Sequence, residues 1–136
     1  MLSLVADTNI LISYFFPRST ARRLIEDSSL LLYSPEYALE EIQEHTPVIL
    51  RKAKIALAAF NKARSEMARR ITFIPLEDYA DAIREASETP DPDDVDFIAL
   101  AWKMKLPLWS NDKRLKEQSL VTVLLTEEII KLISRI

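Results

Sequence analysis

The chain has 136 residues, 49 % apolar and 29 % charged, with a net charge of −3. That is one domain, with enough apolar side chain to bury a core. It has no cysteine, no glycine and one histidine, His45, which excludes disulfides, thiol catalysis, Cys-ligated metals, HExxH sites and every glycine-dependent phosphate loop or nucleophile elbow.

In chain order, Ser3 to Ala6 is a short apolar run that ends at Asp7 and predicts a buried strand. Thr8 to Phe16 predicts a helix stopped by Pro17, and Ser19 to Asp27 an amphipathic helix with Leu24 and Ile25 inward. Leu30 to Tyr33 predicts a second strand. Ser34-Pro35 has the form of an N-cap followed by proline at the first helical position, opening a helix to about His45. Thr46-Pro47 repeats that signal and predicts a separate long helix to about Arg70.

Ile71 to Ile74 predicts a third strand, ended by Pro75. Glu77 to Glu88 predicts a helix with Tyr79, Ala82, Ile83 and Ala86 in its apolar stripe. Thr89 to Asp93 is a turn. Pro92 then starts a helix with Val95, Ile98, Ala99 and Trp102 facing the core. Leu108 to Ser110 and Leu120 to Leu124 predict the last two strands, and Thr126 caps a final helix to about Ser134. Short apolar strands alternating with helices indicate an α/β domain with a parallel sheet covered on both faces. Sites in such sheets lie beyond the carboxyl ends of strands, at a switch in strand order. Asp7 and Asp112 both follow strands.

No apolar run approaches the ~18 residues of a membrane span, and MLSLVADTN lacks the basic start of a secretory leader. The expectation is therefore a cytoplasmic protein with no membrane partner. The net charge hides an uneven distribution. Val48 to Arg70 carries seven Lys/Arg (51, 52, 54, 62, 64, 69 and 70) against the single acid Glu66, whereas Glu77 to Asp96 carries nine acids against Arg84. These segments read either as a polyanion surface beside a cation site or as two solvated faces.

With cysteine absent and a single histidine, chemistry falls to the carboxylates. Asp7 and Asp112 could each be no more than a cap. Glu41 lies at the edge of the Ala38, Leu39, Ile42 stripe, where Glu40 and Glu44 point away. Asp91, Asp93, Asp94 and Asp96 crowd one helix start. Acids suit the positive end of a helix dipole, but two like charges ~4 Å apart cost roughly 4 kcal/mol at an effective dielectric near 20. Asp94 and Asp96 lie almost equally near the apolar stripe, so periodicity does not choose between them. Carboxylates converging on one pocket require a cation, and hard oxygen ligands select Mg²⁺ or Mn²⁺. Such an ion lowers the pKa of a bound water and neutralises charge on a phosphodiester. The residues alone therefore point to metal-assisted phosphodiester hydrolysis.

The ordered segments VADTNILIS, SPEYALEEI, DPDDVDFIALA and LWSNDKRL resemble the PIN domain over nearly the whole chain. The resemblance implies a three-layer α/β/α sandwich whose parallel sheet of about five strands is ordered 3-2-1-4-5. It also implies an endoribonuclease that uses Mg²⁺ or Mn²⁺ and leaves 5′-phosphate and 3′-hydroxyl ends. By position, Asp7, Glu41, Asp94 and Asp112 match the family's four acids, with Asn9 and Ser110 as supporting polar residues. Asp96 stands where the family often has an apolar residue or proline, which leaves it a spare acid or a rival to Asp94. Many small members are toxins inhibited by an antitoxin whose peptide fills the cleft. The resemblance thus offers an antitoxin partner and a homodimer, although nothing inside the chain selects them.

Arg51, Lys52, Arg69 and Arg70 are the candidates for contacting the RNA backbone. Tyr14, Phe15 and Phe16 read as core or dimer contact before base stacking. Three rivals remain. One is a PIN fold that binds RNA or protein without cutting. Another is a phosphatase using Asp7, although Asn9 breaks the usual D-x-D. The third is a scaffold, which leaves the clustered acids unexplained.

Overall fold

The computed structural model describes residues 1–89 and 91–135. Its centre is a five-stranded parallel sheet of β1 (Leu2–Ala6), β2 (Leu30–Pro35), β3 (Ile71–Ile74), β4 (Leu108–Trp109) and β5 (Val123–Leu124), in the order β3-β2-β1-β4-β5. The expected sheet and strand order are both present. Right-handed crossovers fix the layers. The chain steps from β1 to β2 to β3 in one direction, so α1 (Thr8–Ile12), α2 (Thr20–Ile25), α3 (Tyr37–Ala53) and α4 (Leu57–Ala68) share one face. It then returns past β2 and β1 to reach β4, which puts α5 (Ile83–Ala86) and α6 (Val95–Met104) on the other face, with α6 against β1 and β2. After β5 comes α7 (Thr126–Ile133). The direction reverses between β1 and β4, so the crevice beyond their carboxyl ends is the switch point.

The core agrees with the expected apolar stripes. Leu4, Val5, Ile42, Phe97, Ile98, Leu108 and Trp109 are fully enclosed. Tyr14 and Phe15 belong to it as well, in the 3₁₀ turn Ser13–Phe15 that replaces the end of the expected first helix. The Phe15 ring stacks on Phe60 of α4, with centroids 4.5 Å apart. Two residues depart from those stripes: Trp102 reaches solvent from α6, and Leu39 on α3 is only half-buried.

Several boundaries differ from the sequence reading, each for a local reason. Ser34 and Pro35 belong to β2 rather than to a helix start. Ser34 Oγ donates a buried hydrogen bond to the Ala6 carbonyl, 2.9 Å away, and so fastens β2 to the end of β1. Thr46-Pro47 opens no new helix. Thr46 Oγ1 bonds back to the Ile42 carbonyl, Pro47 sits exposed inside α3, and the break comes later, at Lys54. The expected Glu77–Glu88 helix is two 3₁₀ turns, Leu76–Asp78 and Ala80–Ala82, followed by the single turn α5; the break falls at Tyr79, where φ is −130°. Thr126 is the first residue of α7 and not its cap, since Leu125 precedes it and Glu128 closes that end by accepting from the Leu125 N–H. The expected turn Thr89–Asp93 includes Pro90, which lies outside the described residues.

The Ser34 contact carries a testable expectation. Ser34→Ala removes a donor from a buried carbonyl and should cost about 1–2 kcal/mol. Urea unfolding reads this as a lower midpoint at unchanged slope. An unchanged midpoint would mean that the carbonyl is already satisfied.

Candidate active site

Among the described residues, the buried polar and charged side chains are Asp7, Thr8, Ser34 and Ser110. All four lie at the carboxyl ends of β1, β2 and β4 or directly after them. A sheet end that buries its polar groups there has organised them for each other, because unpartnered burial is costly.

Asp7 leaves β1 at the switch point. Its N–H donates to the Trp109 carbonyl (3.1 Å), continuing the β1–β4 pairing by one residue. Its Oδ1 accepts from the Ile10 N–H at 2.9 Å and caps α1. The capping role is therefore real, yet it does not exhaust the residue. Burial pushes the Asp7 carboxyl up to about 6, against the hydroxyl of Ser110 and the N–H groups of Ile10 and Asn9, which favour the charged form; the Asp112 charge raises it further. Ser110 is itself fully buried and accepts from the Asp112 N–H at 3.1 Å, so one hydroxyl joins two of the acids. Asn9 contributes its peptide N–H, while its side chain is exposed.

Asp94 arrives from the opposite layer. It ends the 3₁₀ turn Pro92–Asp94 and immediately precedes α6, whose packing under β1 and β2 carries it to the crevice. Partial burial pushes its carboxyl to about 6, and the charges of Asp91, Asp7 and Asp112 add to that. Asp112 follows β4 and opens the 3₁₀ turn Lys113–Glu117. Arg114 holds its carboxyl below the usual range through a two-point pair, Nε to Oδ1 at 3.1 Å and Nη2 to Oδ2 at 2.9 Å. Asp91, Asp94, Asp112 and Arg114 line one cleft of about 320 Å³.

Glu41 lies on α3, half-buried, at the other side of Asp7. Thr8 Oγ1 donates to its Oε1. Burial raises its carboxyl, Thr8 lowers it, and the Asp93 and Asp7 charges raise it again. Tyr37 stands between the helices and donates to Asp93 at 3.3 Å. Desolvation and the charges of Glu41, Asp93 and Asp96 push its phenol to about 12. Asp96 itself points elsewhere and accepts from the buried Tyr79 hydroxyl. Arg51 and Lys52 lie in the last turn of α3, ten residues beyond Glu41, or ~15 Å along the axis. Arg69 and Arg70 lie between α4 and β3, exposed, and no hydrogen bond or ion pair among the described residues joins these four to the acids.

The structure thus brings Asp7, Asp94 and Asp112 to one crevice with Ser110 between two of them, sets Glu41 beside Asp7, and turns Asp96 away. Sequence reasoning missed Thr8, Tyr37 and Arg114. Thr8 and Arg114 stand inside segments already quoted, one residue after Asp7 and two after Asp112. Their partners, however, are visible only in three dimensions.

The donor set fits Mg²⁺ or Mn²⁺. It consists of carboxylates and hydroxyls, with two carboxyls raised by burial and by neighbouring acids, a penalty that a bound cation would reverse. Among the described residues no three acids already stand close enough to enclose an ion, and Asp112 rests on Arg114. A cavity of about 690 Å³ lies at the other end of the sheet, just before β4 and β5, among Trp102, Lys105, Leu106 and Leu120. It gathers none of these acids. No described helix is long and apolar enough to cross a membrane.

Comparison with known proteins agrees with the fold. No curated protein matches the chain. A solved structure, VapBC2 from Rickettsia felis bound to a DNA fragment from its promoter, has a chain that superposes with a TM-score of 0.66 at 14 % identity, covering 91 % of this chain and 98 % of that one. At that identity the likeness is one of fold. The sequence model described as PIN domain matches residues 5–131, which is nearly the whole chain. The chain therefore belongs to the PIN domain family.

Proposed function

We propose that this PIN domain is a divalent-metal-dependent endoribonuclease. The observation that carries the reading is the pair of carboxyls Asp7 and Asp94, raised to about 6 and brought from opposite layers to the β1–β4 switch point beside Asp112. A fold does not keep such a pair for stability, since each is destabilising without a cation. Asp7, Asp94 and Asp112 would hold Mg²⁺ or Mn²⁺, and Glu41 would complete the site from α3. When bound, the ion supplies an activated water and neutralises charge on the phosphodiester.

The chain's own residues do the rest. Ser110 holds Asp7 and the Asp112 backbone in register, and Thr8 fixes the Glu41 carboxylate. Glu41, raised by burial, can accept a proton from a water in the crevice. Asn9, exposed at the start of α1, can donate to a phosphate or water there. Arg51, Lys52, Arg69 and Arg70 would act at a distance, attracting the strand electrostatically. The cytoplasm is the proposed compartment. A role as the toxin of a toxin–antitoxin pair, with an antitoxin peptide in the cleft and a homodimer as the assembly, follows from the resemblance to small PIN proteins.

The test is cleavage of a mixed-sequence single-stranded RNA by the purified protein with Mg²⁺, with Mn²⁺ and with EDTA. Cleavage in both metals, abolished by EDTA, is the expected result. Cleavage that survives EDTA would overturn the metal requirement, unless it also survives in Asp7→Asn and so belongs to a contaminant. Tight RNA binding with no cleavage in any metal would replace this reading with a non-catalytic RNA-binding PIN module.

A further inference from the structure

Arg114 has a place in the fold that stability does not explain. Its side chain is 81 % exposed, so it contributes little packing. An exposed ion pair contributes little to stability. Yet its guanidinium forms a full two-point fork on Asp112, with Asp91 and Asp94 facing the same cleft. Asp112 and Arg114 are joined locally as well, since the Arg114 N–H donates to Asp112 Oδ1 at 3.0 Å. Arg114 is therefore tethered to the cleft mouth by its backbone, whichever way its side chain points.

The fork engages both oxygens of the Asp112 carboxylate, so a divalent ion binding there would compete with it. A guanidinium displaced in that competition would stay within a side chain's length of the acids, held by the Arg114 backbone contact to Asp112. Guanidinium geometry matches a phosphodiester as well as it matches a carboxylate. We infer that Arg114 exchanges partners, pairing with Asp112 in the metal-free protein and with a phosphate of the bound strand once Asp112 is engaged by a divalent cation. The inference rests on the ribonuclease reading and adds to it a substrate-binding residue. It also makes the protein's hold on RNA depend on the ion through one side chain.

Two titrations of the full chain test this without using turnover. In the first, Mn²⁺ is added in the absence of RNA. Arg114→Gln should bind it about 3- to 10-fold more tightly, because a competitor is gone, which corresponds to roughly 0.7–1.4 kcal/mol. Lys113→Gln, which removes the same charge one residue away, should change the affinity by less than ~2-fold. In the second, anisotropy follows a labelled single-stranded RNA in Ca²⁺ and in EDTA, with the RNA's integrity checked on a gel. Arg114→Gln should weaken binding about 5- to 10-fold in Ca²⁺ and less than ~2-fold in EDTA, and should lower the salt slope in Ca²⁺ by about 0.7. Arg114→Lys should keep that slope while losing part of the affinity.

Equal weakening in Ca²⁺ and EDTA would make Arg114 an ordinary surface charge and overturn the exchange. So would an unchanged or weaker Mn²⁺ affinity in Arg114→Gln. A wild-type protein that binds Mn²⁺ and RNA, with Arg114→Gln indistinguishable from it, sinks this inference alone. A wild-type protein that binds neither sinks the ribonuclease reading together with it.

Discussion

Asp7→Asn should lose metal-dependent RNA cleavage, on the order of 10³-fold, and at the same time become more stable than the wild type in EDTA. The two effects share one cause. Asp7 carries a carboxyl whose pKa lies at about 6 when folded, against 3.8 for an ordinary aspartate. Such a group takes up a proton on folding between those pH values. Its contribution is therefore favourable at low pH, is lost as pH rises, and becomes a full penalty above about 6. A shift of that size corresponds to about 3 kcal/mol near pH 7.5.

Asparagine keeps the cap, because its carbonyl oxygen can still accept from the Ile10 N–H, and it carries no charge to desolvate. A gain of about 2–3 kcal/mol should raise the melting temperature by ~5–10 °C. In EDTA the wild-type melting temperature should climb as pH falls from 7.5 toward 5, and this slope should flatten in Asp7→Asn. Saturating Mn²⁺ should stabilise the wild type and leave the variant unmoved. A variant that melts below wild type at pH 7.5 in EDTA would show that the buried charge is already compensated.

Asp94→Asn and Asp96→Asn should separate function from stability in opposite directions. Asp94 shares the crevice with Asp7 and Asp112 and carries a raised carboxyl. Its asparagine variant should lose cleavage at least ~100-fold and unfold no more easily than wild type. Asp96 instead accepts from the buried Tyr79 hydroxyl. Its asparagine variant should cleave within ~3-fold of wild type but lose about 1–2 kcal/mol, because that bond to a charged acceptor is weakened. Cleavage assays and urea melts on the same preparations read both axes. If Asp96→Asn loses cleavage and Asp94→Asn keeps it, the assignment is reversed.

That pair also marks how far the sequence could be read. The sheet was legible because its strands are short apolar runs set between helical segments; Ile71–Ile74 has the expected limits, and the strand order agrees with the resemblance. The positions of Asp7 and Asp112 past strand ends were legible for the same reason. The choice between Asp94 and Asp96 was not. A helical wheel started at Pro92 advances ~100° per residue, but Pro92–Asp94 is a 3₁₀ turn, which advances ~120°. The α-helix begins only after Asp94, so an α-helical wheel does not hold for that residue. Proline misled twice. Pro35 continues a strand, and Pro47 is tolerated inside α3 at an exposed position. Contacts such as Thr8 with Glu41 span 33 residues, and no local pattern encodes them.

The helix ends at Lys54 and Lys105 bear on the other side of the folding equilibrium. Both lysines hold left-handed backbone, with φ of 57° and 59°. This is the conformation that a glycine would adopt without strain, and a side chain there costs roughly 1–2 kcal/mol. The chain accepts that strain at two places and carries no glycine anywhere. An ordinary domain of this length would carry about ten, and each one enlarges the disordered ensemble that folding must overcome by ~0.4–1 kcal/mol. Strain at two helix ends is thus set against a denatured chain with fewer conformations throughout its length. A protein built this way resists unfolding partly because its unfolded state is entropically poor.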